Sequence, residues 1–419
     1  MAEIIEINGI NKRGEGQGTG SSGPINVPFT LTGEKVEIEV IPTKDKTWGQ
    51  LTKILQPSAD RVDPSCVHYG TCGGCSLQHH NPASYAAFKK KQVTQALHDN
   101  GLHTGNVEEP IIIGSHHRRR VDFLARKYPD GFNMGYYQIH SRRRIHLQEC
   151  PLVEPRIESL FKPLYAVLED VLEMKELVHI FILSAENGLD VLLAGFKRTL
   201  SESDLTRLFD FAKDNNLARL AYKIKKKSHT IYCQEPPYVT FAGHKIDVNP
   251  NVFLQASTKA DTILADLVVQ NIPTEATCVI DLFCGRGTLT LPIHASGRRV
   301  HGYEGDKNAI AALQELEQEN LSAQTRDLFA NPLSAEELKG CHTLVMNPPR
   351  SGVKNQIQAI IDAKTPTVIY VSCNPETFAK DMATLCEGGY TLKKAIPVDQ
   401  FMWSHHVEVV GIAVRDDKA

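Results

Sequence analysis

Two residues near the C-terminus have the types and settings that chemistry needs. Cys373 closes the apolar run TVIYVSC, and Glu408 opens the run EVVGIAV. A cysteine at a strand end, facing a crevice, is a candidate nucleophile. Its structural alternative is a buried thiol, a common state of free cysteine. A carboxylate at the start of a strand is a candidate general base, or simply an exposed charge. A third motif, Asn347-Pro348-Pro349-Arg350, ends another apolar run. Open α/β sheets present groups to a substrate at that place.

A cofactor signal lies upstream. The run CVIDLF leads into Cys284-Gly285-Arg286-Gly287-Thr288. A strand entering a glycine turn before a helix brings backbone amides close to a ligand. About 20 residues on, Glu304 ends the next apolar run, where an acidic side chain accepts from both ribose hydroxyls. The turn is GxG rather than the full GxGxxG, since Leu289 and Thr290 follow. S-adenosylmethionine has no pyrophosphate and does not need the third glycine, so it is favoured over NAD. A purely structural strand–helix turn is the alternative.

These groups need a scaffold. From 247 onward the runs CVIDLF, RVHGYE, TLVMN and TVIYVS alternate with helix-length segments. That is the pattern of an α/β fold with a doubly wound, mostly parallel sheet. Residues 1–57 carry short alternating runs (KVEIEV, GQLTKIL) and a glycine-rich stretch from Gly14 to Gly23, which predicts a small β-barrel with one flexible loop. Residues 58–246 form a mixed central region with a helical stretch near 153–176. The chain thus divides into 1–57, 58–246 and 247–419.

Composition sets the class. With 419 residues, 42% of them hydrophobic, the chain can bury real cores. No apolar run reaches the length of a membrane span. MAEIIEING has no basic n-region, so a cytoplasmic protein is expected. The net charge of -3 excludes a general polyanion coat but hides an uneven distribution. Residues 1–250 carry 31 basic and 29 acidic side chains; residues 251–419 carry 15 and 20. Between 116 and 146, Arg118, Arg119, Arg120, Arg126, Lys127, Arg142, Arg143 and Arg144 interleave with Tyr128, Tyr136 and Tyr137. That segment is either an RNA-facing surface or a solvated strand pair with salt-bridged arginines. Ten cysteines in a cytoplasmic chain read as metal ligands or catalysts rather than as a disulfide framework.

DLFCGRG, NPPRSG, VSCNP and the ending HHVE, in this order and spacing, resemble the RNA 5-methyluridine methyltransferase family, and the resemblance covers nearly the whole chain. It implies a Rossmann-like class I methyltransferase domain, an N-terminal TRAM barrel of the oligonucleotide-binding type and a central α+β iron-sulfur domain. Cys66, Cys72 and Cys75 (C-x5-C-x2-C) with Cys150 in QECP are similar to the family's four-cysteine site. Four thiolates suit zinc or a 4Fe-4S cluster. A zinc ribbon would show two C-x2-C pairs, and only one is present, so the cluster is expected. Cys233, Cys278, Cys284, Cys341 and Cys386 are then structural.

The resemblance also implies roles. Cys373 matches the nucleophile and Glu408 the base. Gln255, Phe283, Thr288, Glu304, Asp327 and Asn347 match positions near the cofactor, S-adenosylmethionine. Asn347 stands where most members have Asp, one rRNA-methylating branch excepted. Ser257 replaces a frequent Asn, and Met402-Trp403 replaces the usual Pro-His. Uracil C5 becomes nucleophilic when a thiolate adds at C6. The expected reaction is therefore methyl transfer to C5 of a uridine, through an adduct on Cys373 resolved by Glu408. The target base must leave its stack. Arg118, Arg119, Arg120, Arg142, Arg143, Arg144 and Arg350 are candidate RNA contacts, with 23S rRNA expected over tRNA and the enzyme a monomer. Two alternatives remain. An exocyclic-amine methyltransferase would account for Asn-Pro-Pro, but the aromatic residue usual after it is Arg350 here. A non-catalytic RNA-binding protein would not need both Glu304 and Cys373.

Overall fold

A computed structural model describes residues 2–42, 47–129, 131–139, 141 and 143–416. The N-terminal strands β1 (Ala2–Ile10), β2 (Gly16–Gly20), β3 (Gly23–Val27), β4 (Lys35–Pro42) and β5 (Thr47–Gln56) close a barrel in the order β1-β2-β3-β5-β4. Alternation along β1 and β4 turns Ile5, Ile7, Val36 and Ile38 inward against Ile25 and Val27. The glycine-rich stretch is the β2–β3 hairpin of this barrel, not a flexible loop. A Cβ on Gly16 would stand 2.0 Å from Thr30 Oγ1, so the close approach of the wall explains the glycine.

Helix α1 (Pro82–Asp99) starts at Asn81, whose side chain accepts from the Ser84 amide, with proline at the first helical position. Val93, Ala96 and Leu97 pack with the core of the C-terminal sheet, and β6 (Ile111–Ile112) joins that sheet at its edge. Residues 82–112 therefore pack with the C-terminal region, although the sequence spacing groups them with the central one.

The central region has β7 (Arg120–Tyr128), β8 (Gly131–Gly135), α2 (Pro155–Glu158), α3 (Phe161–Val171), β9 (Leu177–Ala185), β10 (Gly188–Phe196), α4 (Glu202–Asp214), β11 (Arg219–Ile224) and β12 (Lys227–Cys233). Its strands form one sheet in the order β12-β11-β10-β9-β7-β8. Inward residues of one face, among them Phe123, Ile180, Val191 and Leu220, pack on Leu164, Leu168, Leu208 and Phe211 of the helices. A short hairpin, β13 (Tyr238–Phe241) and β14 (His244–Asp247), follows.

The C-terminal region runs α5 (Thr258–Asn271), β15 (Cys278–Leu282), α6 (Thr290–Ala295), β16 (Arg299–Glu304), α7 (Lys307–Gln314), β17 (Leu321–Thr325), β18 (Thr343–Met346), α8 (Gln356–Ala363), β19 (Thr367–Ser372), α9 (Pro375–Glu387), β20 (Tyr390–Asp399) and β21 (Glu408–Arg415). The eight-stranded sheet has the order β17-β16-β15-β18-β19-β21-β20-β6. Strands β15 to β19 are parallel, and β21 runs antiparallel to both neighbours. Strand order reverses between β15 and β18, which opens a crevice at their carboxyl ends.

Candidate active site

The crevice holds a cavity of about 550 Å³ lined by Gln255, Asp281, Phe283, Gly285, Thr288, Glu304, Asn347, Arg350, Phe401, Cys373 and Glu408, among others. Five of the six expected cofactor residues are in this lining. Asp327 is not; its carboxylate accepts from the amides of Phe329 and Ala330 and shapes the turn after β17.

Phe283 leaves β15 with φ 61°, a left-handed conformation that non-glycine residues adopt only when their surroundings hold them there. Gly287, at φ 94°, lies so close to Leu313 that a Cβ would meet its Cδ2 at 2.6 Å. The Glu304 carboxylate closes this turn, accepting from the amides of Gly285 (3.1 Å), Gly305 (2.6 Å) and Asp306 (3.0 Å). Asp281 is fully buried, and one oxygen accepts from Thr290 Oγ1 at 2.7 Å. Its other oxygen has no partner, and burial raises its pKa to about 7. An orphaned acceptor on a residue of the cavity wall suits a ligand bearing a hydrogen-bond donor such as an amino group. The volume, the glycine turn and the Glu304 carboxylate suit a nucleoside. These residues fit S-adenosylmethionine.

Cys373 is placed by its neighbours. Asn374 caps α9, accepting from the Glu376 amide, and Pro375 takes the first helical position. Ser372 pairs with Val409 across β19 and β21, so the residues just beyond, Cys373 and Glu408, reach the same cavity. Asn374 Nδ2 and Thr377 Oγ1 both donate to the Arg350 carbonyl, at 3.2 Å each, and tie the Asn-Pro-Pro-Arg loop to the cysteine. Burial and the Glu408 charge push the Cys373 thiol up to about 11, and Arg350 opposes that shift. Glu408 is 2% exposed; desolvation pushes it up to about 7, and a hydrogen bond from Gln400 pulls it back.

The sequence reading missed Gln400. Its Nε2 lies 2.7 Å from Glu408 Oε2 and 2.9 Å from Gln255 Oε1, while its Oε1 accepts from the Ala256 amide at 3.2 Å. A single buried amide thus joins the expected base to the expected cofactor residue. No sequence signal marked it beyond its place in the loop between β20 and β21. That loop is anchored by Lys89, whose buried ammonium donates to Asp399 Oδ1 and to the Ser404 carbonyl, both at 2.8 Å, and to the His406 carbonyl. The Tyr85 hydroxyl donates to Asp399 and accepts from the Trp403 amide at 2.7 Å.

The arginine segment does not present one face. Arg119 is 2% exposed, and its guanidinium pairs with Asp261 at 2.5 Å and donates to the Gln255 carbonyl at 3.1 Å. It holds the Phe-Leu-Gln-Ala-Ser segment and is unavailable to RNA, which corrects its expected role. Arg144 is buried as well, over the Tyr137 ring and donating to the Tyr128 and Tyr137 hydroxyls. Arg118 and Arg120 are half-buried; Arg143 and Arg350 are exposed; Arg142 lies outside the described residues.

Cys66, Cys72, Cys75 and Cys150 line a second cavity of about 320 Å³ with Arg118, Phe401, Met402 and His406. Burial pushes Cys75 up to about 12 and Cys150 up to about 11, and the neighbouring cysteines add to both shifts. Among the described residues, no three His, Cys, Asp or Glu side chains are grouped to hold a metal ion. A lone ion needs every thiolate within about 2.3 Å of one point, whereas a four-iron cluster carries each on a separate iron. Four thiols lining one cavity are the donor set a 4Fe-4S cluster would use. The two cavities share Phe401 as a wall, and the Trp403 carbonyl accepts from the amides of Ser76 and Leu77, at 2.8 and 3.0 Å. The cysteine loop, far from Cys373 in sequence, therefore touches the loop that carries Glu408.

Comparison with known proteins agrees with this geometry. The model of the tRNA (uracil-5-)-methyltransferase family matches residues 86–416. An uncharacterized RNA methyltransferase of Agrobacterium fabrum is 34% identical, over 98% of this chain and 99% of its own. The 23S rRNA (uracil(1939)-C(5))-methyltransferase RlmD of Yersinia enterocolitica is 29% identical, over 98% of this chain and 95% of its own. Among solved structures, the Pyrococcus abyssi tRNA (uracil-54, C5)-methyltransferase with S-adenosyl-L-homocysteine aligns with a TM-score of 0.76. That match covers 99% of this chain and all of the other at 21% identity, a likeness of fold.

Proposed function

The chain belongs to the tRNA (uracil-5-)-methyltransferase family and is an S-adenosylmethionine-dependent RNA (uracil-5-)-methyltransferase; we propose that it methylates a uridine of 23S rRNA through a covalent adduct on Cys373. The observation that carries the mechanism is the convergence of Cys373, Glu408 and Glu304 on one cavity. The full-length relative that acts on 23S rRNA supports the choice of substrate.

When bound, S-adenosylmethionine supplies a methyl group on a sulfonium, an electrophile with a neutral leaving group. The Cys373 thiol gives its proton to solvent and its sulfur bonds to C6 of the flipped uracil; the C5–C6 π pair shifts to C4–C5 and the C4 carbonyl pair moves onto oxygen, forming an enolate. Arg350, beside the thiol, favours that loss. The electron-rich C5 then takes the methyl group. Glu408, as carboxylate, removes the remaining C5 proton; the freed electron pair restores C5=C6 and expels Cys373 as thiolate. Gln400 keeps the Glu408 carboxylate ionised and aligned. Gln255, Phe283, Thr288 and Asn347 would surround the cofactor, and Glu304 would accept from its ribose.

The four-cysteine cavity is read as the site of a 4Fe-4S cluster held by Cys66, Cys72, Cys75 and Cys150. The cluster would cross-link residues 66–75 to residue 150 and brace the base loop; no redox step is assigned to it. Mass spectrometry of RNA from a strain lacking the gene tests the substrate. Loss of 5-methyluridine from 23S rRNA is the expected outcome. Loss from tRNA alone would overturn the rRNA assignment.

A further inference from the structure

The central sheet buries one face on its helices, and its other face is only half covered. At one end, Leu183 packs under the β13–β14 hairpin and Val252. On the rest of that face Asp122, His179, Ser228 and Thr230 are exposed and Phe181 and Lys223 half-buried, above a floor of buried Leu124, Leu192 and Ala221. Strand register sets His179 beside Ala194, then Lys223 and Ser228, in one row; Asp122, Phe181, Leu192, Ala221 and Thr230 form the next. The His179 and Phe181 rings are stacked, with centroids 6.0 Å apart and planes 11° apart. A cavity of about 650 Å³ lies here, lined by both rings, Lys223, Lys225, Ser228 and Asn251.

Its charge is basic. Among the described residues lining it there is no carboxylate, and neither Lys223 nor Lys225 has an ion-pair partner. Asp122 Oδ1 lies 3.7 Å from His179 Nδ1, outside the lining of this cavity. The open face also runs into the catalytic site. Pro250 and Asn251 line this cavity, and Val252, Phe253 and Leu254 line the catalytic one. At the junction Phe253 is 73% exposed, with the Arg120 guanidinium 4.8 Å from its ring centroid.

Open sheet faces that carry stacking rings bind unpaired bases, and nearby lysines take the phosphates. We propose that the uncovered half of the central sheet, with His179, Phe181, Lys223 and Lys225, binds the single-stranded RNA that flanks the target uridine. The inference rests on the RNA-methylating activity and names where the strand runs on leaving the catalytic cavity. Four lysines, Lys223, Lys225, Lys226 and Lys227, fall within five residues on and between β11 and β12.

The test compares the full-length protein with His179→Ala and with Lys223→Ala/Lys225→Ala. Binding of a fluorescein-labelled single-stranded RNA of about 12 nucleotides is followed by anisotropy over a salt series. Methylation is measured on that RNA and on a short oligonucleotide of about three nucleotides centred on the uridine. His179→Ala should weaken binding of the longer RNA about tenfold, the scale of a lost base stack. The lysine pair should lower the salt slope by about 1.4, for two lost phosphate contacts. In both, kcat and turnover of the short oligonucleotide should stay as in the wild type, which also certifies the fold. Unchanged affinity and salt slope for the longer RNA would overturn the proposal. So would equal losses on the short oligonucleotide, which would place the residues in the catalytic step. Failure of the wild type to methylate either RNA would instead count against the enzymatic reading, because the anisotropy arm does not depend on turnover.

Discussion

Replacing Gln400 by leucine removes one buried amide and leaves the volume nearly filled. Glu408 is fully enclosed, and the donor at 2.7 Å is what opposes its desolvation. A hydrogen bond to a charged group contributes about 1.5–3 kcal/mol, which corresponds to roughly 1–2 pH units. The carboxyl already stands at about 7. The base works as carboxylate, so activity rises with pH through its pKa, and Gln400→Leu should move that rise upward by about 1–2 units. Single-turnover methyl transfer measured across pH isolates the step from product release. At neutral pH the variant should also accumulate the RNA–protein adduct, because loss of the C5 proton is slowed while addition is not. The KM for S-adenosylmethionine should rise moderately, since Gln255 loses the same amide. An acidic limb at the wild-type position, with only that KM changed, would refute the link between Gln400 and Glu408.

Other consequences are equally direct. Arg350→Ala removes the cation that favours the Cys373 thiolate, so adduct formation should slow several-fold near neutral pH and recover at high pH; a pH-independent loss would point to RNA contact instead. Lys89→Met strands Asp399 without its counter-charge in a buried setting and should lower stability by about 3–5 kcal/mol, read by thermal unfolding; an unchanged melting temperature would contradict the anchoring of the base loop. Protein purified without oxygen should carry iron and visible absorbance that Cys75→Ser abolishes, whereas a colourless protein with stoichiometric zinc would decide for the ion.

What the sequence disclosed and what it hid divide along physical lines. Cys373, Glu304 and the glycine turn were legible because each follows or ends an apolar strand, and Glu408 because it opens one; carboxyl ends of the parallel strands converge on one crevice, and the antiparallel β21 starts at that same edge. The four cysteines were legible by spacing and reach one cavity. Arg119 was misread because charge alone does not reveal burial; its partner, Asp261, lies far along the chain. The Gly14–Gly23 stretch was misread as a loop because glycine marks close approach as well as freedom. Gln400, Phe401 and Lys89 act through contacts across the chain, which no local pattern encodes. The same is true of α1 and β6, which join a core nearly 300 residues away.

The central claim is the covalent step, and Glu408→Gln tests it most directly. This variant can add Cys373 to C6 and accept the methyl group at C5, but cannot remove the C5 proton. Incubated with S-adenosylmethionine and 23S rRNA lacking the modification, it should give an SDS-stable complex, with methylated uridine mapped by mass spectrometry to the peptide containing Cys373. The absence of any stable complex, together with full methylation by Cys373→Ser, would contradict the account.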